Sequence, residues 1–132
     1  MEINYPKLKT LIGDSALEDY AELEFEGLTS FVMYDDTNSG NPVQYDCYGD
    51  HYVIYIWESI EKDFRKPIVL HEIAETFLNR LYENCGMSPD EAKIEAHEEA
   101  RKLDEKYARE TFYKETFERY LKFRDSLINP LN

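Results

Sequence analysis

Apolar residues in this chain of 132 switch from strand spacing to helix spacing near residue 58, and that switch restricts the fold more than any other feature. From Glu22 up to it the period is two. Glu22-Leu23-Glu24-Phe25-Glu26 alternates strictly, as a half-buried strand does. Leu28 to Tyr34 is again rich in strand formers, and Val43 to Tyr48 alternates weakly. His51 to Trp57, full of β-branched and aromatic residues, is the strongest strand signal in the chain. Gly27 marks a bulge or a turn, Gly49-Asp50 a tight hairpin, and Asp35 to Pro42 a loop. Short turns between the strands predict an antiparallel meander.

After Glu58 the period is helical. Ile68, Leu70, Ile73, Ala74, Phe77, Leu78 and Leu81 form a wide apolar stripe, entered through Pro67 and stopped by Gly86. Ser88-Pro89-Asp90-Glu91 opens another helix, with Ser as N-cap, Pro at the first position and Glu at the third. No Gly or Pro follows until Pro130, so the span from about 89 to 128 reads as one long helix or as two with a kink near Glu110-Thr111. Ahead of the strands the first twenty residues look helical. Leu8, Leu11 and Ile12 share a face, Gly13 is a stop, and Ser15 with Glu18 predicts a capping box for a second short turn. The predicted class is α+β: an N-terminal helix, a small antiparallel sheet, then a C-terminal helical hairpin. Length fits a single domain over residues 1–132.

Composition removes several functions. Asp and Glu number 28 against 15 Lys and Arg, a formal net charge of −13. Such a surface repels phosphate, so neither nucleic acid nor an anionic membrane surface is an expected partner. No run is apolar and long enough to span a bilayer. The first seven residues lack a basic stretch leading into an apolar one, so no secretory signal is expected. That reading puts the chain in the cytoplasm with Cys47 and Cys85 reduced, and their spacing matches no cysteine zinc pattern.

One cluster of residues suggests chemistry. His71-Glu72-Ile73-Ala74-Glu75 lies on the first long helix, where positions four apart stand one above the other. His71 and Glu75 can therefore reach one metal ion, while Glu72, about 100° round the helix, flanks it without being a ligand. The next helix carries His97. Glu75 and His97 each lie eleven residues from Gly86, about 16 Å of helix on either side of the turn. An antiparallel hairpin would thus bring them to one height.

The five residues His71-Glu72-x-x-Glu75 resemble the active-site helix of the zincin metallopeptidases, whose usual pattern is H-E-x-x-H. The resemblance covers residues 51 to 98. Here Glu75 replaces the family's second histidine, and His97 stands where a carboxylate ligand is usual. The set is still two histidines and one carboxylate. The resemblance implies a zincin-like fold with zinc on His71, Glu75 and His97, and Glu72 as general base toward water. It implies an extended peptide or protein substrate lying along an edge strand, Tyr52 to Trp57, and a tyrosine hydroxyl from Tyr107 or another of the eleven tyrosines.

Other readings are weaker. Ile94 and Ile68 stand three before His97 and His71, so the E-x-x-H repeats of carboxylate di-iron bundles are missing. The Asp35 to Gly40 loop lacks the ligand spacing of a calcium loop, and His51 beside Asp50 suits a structural role. Two functions follow: a metal-dependent hydrolase, or a non-catalytic acidic interaction protein. The second would use the aromatic C-terminal helix to dock a partner or to form a homodimer.

Overall fold

The N-terminal helix α1, Tyr5–Asp14, begins where the Asn4 side chain accepts the amide of Lys7 and Pro6 fixes the first turn. A computed structural model describes residues 3–36 and 41–126 of the chain. Leu8 and Ile12 of α1 are fully buried. The second turn expected at Ser15 and Glu18 does not form. Leu17 instead adopts a φ of 49° and buries its side chain, which leads the chain out of the helix toward the sheet.

Four strands follow: β1 Tyr20–Phe25, β2 Leu28–Tyr34, β3 Val43–Tyr48 and β4 His51–Ile56. Glu26 and Gly27, both with positive φ, make the two-residue turn between β1 and β2. Gly49, with φ 69°, turns β3 into β4. The order across the sheet is β1-β2-β4-β3. The meander is therefore not fully antiparallel: β2 and β4 run parallel, with Val32 opposite Ile54. Burial explains the order. β4 buries Tyr52, Ile54 and Ile56 and half-buries Val53 and Tyr55, so it belongs in the middle, whereas β3 buries only Val43 and suits an edge. Loop contacts lock the arrangement, since Asp35 N donates to Ile56 O and Trp57 N to Pro42 O. The expected substrate-bearing edge, Tyr52 to Trp57, is thus bonded on both sides over His51–Ile56, and the free edges are β1 and β3.

A short 3₁₀ turn, Lys62–Phe64, leads into α2, Arg65–Asn84. The first three turns of α2 are buried almost all round, between the sheet, α1 and the next helix. Arg65 is held there by donating to the carbonyls of Leu17 and Glu18 and stacking on the Tyr34 ring, 3.8 Å away. Gly86, with φ 98°, ends α2, and Met87 N reaches back to Tyr82 O. Helix α3, Pro89–Thr111, starts on the Ser88 cap. Ala92, Ala96 and Ala100 are fully buried, and these small side chains bring the α3 backbone close to α2.

The C-terminal span is two helices. Phe112 takes an extended conformation (ψ 151°), and α4, Lys114–Ser126, returns along α3. The break falls just beyond the expected kink. Residues 127 and 128, included in the expected long helix, lie outside the described residues. The aromatic rings of α4 pack into the chain's own core, Tyr120 against Phe64 at 5.5 Å and Phe123 at 5.3 Å from the same ring. No helix among the described residues is long and apolar enough to cross a membrane.

Candidate metal centre

Helix α2 places His71, Glu72 and Glu75 in the interior, each essentially without solvent exposure. Helix α3 brings His97 to the same spot, its side chain 22% exposed. The equal residue count on either side of Gly86 is thereby realised. His71 Nε2 lies 3.4 Å from Glu75 Oε2, and His97 Nδ1 lies 3.4 Å from Glu75 Oε1. The two imidazoles cross edge to face with centroids 5.2 Å apart.

These three residues could hold a metal ion: one ligand atom from each lies within 4.8 Å of the others. Tetrahedral zinc bound at about 2.0–2.1 Å places its ligands about 3.3 Å apart. Each imidazole stands at that distance from a different oxygen of Glu75, so the carboxylate bridges the two rings. Glu75 Oε2 is buried and makes no hydrogen bond among the described residues, despite the nearby imidazole. A buried carboxylate oxygen 3.4 Å from a ring nitrogen suits a cation between the two, whether a proton or a metal ion.

The sequence reading missed what lies behind His71. Asp104 of α3, fully buried, has Oδ2 2.7 Å from His71 Nδ1. That contact fixes the ring so that Nε2 faces Glu75. The other oxygen, Oδ1, accepts from Tyr120 Oη and from Arg124 Nη1, both at 2.9 Å. A chain of buried hydrogen bonds therefore runs from α4 through Asp104 to a candidate ligand. One signal was available: Ala92, Ala96, Ala100, Asp104 and Ala108 form an unbroken i,i+4 row, and an acid in such a row must have an interior partner.

The charges reinforce one another. Burial alone would push His71 down, but its contacts with Asp104 and Glu75 and the nearby Glu72 charge raise it to about 10. Burial would raise Glu75, yet His71 and His97 beside it hold its carboxyl below the usual range. In the metal-free chain a proton on His71 thus stands where a cation would balance the same carboxylates.

The tyrosine on which the charges of the carboxylates act is Tyr45 on β3, not Tyr107. Burial and the charges of Glu75 and Glu72 raise the Tyr45 hydroxyl. Tyr107 is buried beside Tyr5 at the other end of α3. Tyr45 also lines a groove of about 280 Å³ beside β3 and α2, together with Cys47, Tyr52, Thr76, Asn79 and Arg80. His51 lies away from the centre, on the outer sheet face, stacked on Phe31. Cys47 and Cys85 are exposed and carry no disulfide. In the loop that faintly resembles a calcium site, Asp36 accepts the Ser59 amide, and residues 37–40 lie outside the described residues.

No family model matches the chain, and comparison with curated proteins and with solved structures gives no significant match.

Proposed function

We propose that the chain is a zinc-dependent hydrolase acting on a peptide or similar amide. The observation that carries this reading is the convergence of His71, Glu75 and His97 with Asp104 fixed behind His71. Two imidazoles and a carboxylate are a catalytic zinc set, and a carboxylate behind a ligating histidine is its usual support. Bound zinc supplies Lewis acidity toward a carbonyl and toward water. Glu72, one residue from the first ligand and buried, accepts the proton from water and passes it to the leaving amine. Tyr45 offers a hydroxyl beside these carboxylates. An extended substrate would lie beside the free β3 edge rather than along β4, near the groove that Tyr45 and Thr76, the neighbour of Glu75, help to line. Exposed thiols without a disulfide suit a reducing compartment such as the cytoplasm.

The test is metal content by plasma mass spectrometry on untagged protein kept from chelators, beside His97→Ala and Glu72→Gln. Near-stoichiometric zinc is expected in the parent and in Glu72→Gln, with loss in His97→Ala. Peptide-library cleavage should fall at least about 100-fold in Glu72→Gln. Zinc-free parent protein that also takes up no added zinc overturns the metal centre. Full activity in zinc-loaded Glu72→Gln overturns the general-base role.

A further inference from the structure

Among the described residues the helices cover one face of the sheet and leave the other open. On the open face aromatic and apolar side chains from all four strands lie together: Tyr20, Phe31, Met33, Val53, Tyr55 and Tyr48. Tyr20, Met33 and Tyr48 are 55%, 42% and 61% exposed, and the other three are half-buried. The pairing makes them contiguous, with Tyr20 opposite Met33, Met33 opposite Tyr55, and Phe31 opposite Val53. The Phe31 ring lies 6.2 Å from Tyr20 and stacks on His51 at 5.8 Å. Isolated exposed apolar residues are ordinary, but a continuous platform of them is a mark of an interaction surface.

Charge on this face has one sign. Glu22, Glu24 and Asp46 share it, no Lys or Arg does, and none of these acids makes an ion pair among the described residues. The asymmetry extends through the flanking sequence. Residues 10–61 contain twelve acids and no Lys or Arg, whereas elsewhere sixteen acids meet fifteen bases. Nearly all of the net charge therefore belongs to the strands and their connections.

We propose that the open sheet face docks a basic, amphipathic segment of another protein. Its apolar side chains lie on the aromatic platform, and its Lys and Arg side chains reach the flanking acids. Four strands about 4.8 Å apart and about 20 Å long give roughly 400 Å². That is about half of one side of a standard interface, which suits a single segment rather than a globular domain. A second copy of the chain brings the same acids to the same place and is repelled. This proposal is independent of the metal centre.

The test is an amide-resonance titration with a synthetic amphipathic Leu/Lys peptide and a Leu/Glu peptide of equal length. The Leu/Lys peptide should shift resonances of β1, β2 and β4 on the open face, with affinity falling as salt rises. Phe31→Ser with Tyr55→Ser should weaken binding about tenfold, and Glu22→Gln with Glu24→Gln severalfold. Any of four outcomes overturns the proposal: shifts confined to the helices, equal binding of the Leu/Glu peptide, unchanged binding by the Phe31/Tyr55 variant, or sedimentation of the parent as a dimer that this variant abolishes.

Discussion

The sheet and the helical hairpin bury opposite kinds of side chain. The inner face of the sheet is almost purely apolar, with Ser30 the one buried polar residue on the strands. The interface of α2, α3 and α4 instead holds His71, Glu72, Glu75, Asp104 and Arg124, all nearly excluded from water. Removing charges from water costs several kcal/mol each unless partners compensate, and apolar residues of similar volume would stabilise the hairpin better. Stability accounts for the sheet's interior. It does not account for the hairpin's, where the polar groups are arranged around one point, and this is the physical reason to read that point as a working site.

The largest effect should come from the hairpin. Asp104→Ala leaves Tyr120 Oη and the nearly buried Arg124 guanidinium without their shared acceptor, and should cost about 3–5 kcal/mol in urea unfolding. Asp104→Asn, which keeps the shape, should fold and yet bind zinc about 10–100-fold more weakly in chelator competition. In the sheet, Ile54→Ala should cost about 2–5 kcal/mol through its cavity and leave zinc affinity unchanged. If Ile54→Ala weakened zinc as Asp104→Asn does, the division between the two regions would collapse.

Acidity separates the regions more gently. His71 is raised from 6.5 to about 10 in the metal-free fold, so its proton contributes stability that is complete below pH 6.5 and is lost as pH climbs toward 10. Thermal unfolding of metal-free protein should therefore show a falling midpoint across that window, flattened in His71→Gln. Zinc at the proposed centre would have to displace this proton, so its affinity should rise with pH over the same window. The smallest effect belongs to the open face: Glu22→Gln with Glu24→Gln should change unfolding free energy by no more than about 0.5 kcal/mol per site, since neither acid makes an ion pair among the described residues.

Much of the fold was legible because its determinants are local. The period switch near residue 58, the Gly49-Asp50 turn, the Gly86 stop and the Ser88 cap each act over a few residues, and each appears where the sequence placed it. What stayed hidden depends on partners far along the chain. The parallel pairing of β2 with β4 follows from which strand is most apolar on both faces, a comparison among all four strands. The break at Phe112 was legible only as one of two alternatives, a kink near Glu110-Thr111 beside a continuous helix, because no Gly or Pro marks it and the return of Tyr120 and Arg124 to Asp104 is what selects it. At the centre, His71 and Glu75 were visible as an i,i+4 pair and His97 through the symmetry of the turn. Asp104 was not seen, because its partners lie 33 residues before and 16 and 20 after it.

The bonds from α4 to Asp104 also make the last described helix part of the candidate centre. Asp104 meets His71 with one carboxylate oxygen and Tyr120 and Arg124 with the other. A chain cut before residue 120 keeps all three candidate ligands and yet loses the hydroxyl and the guanidinium that steady the acid behind one of them.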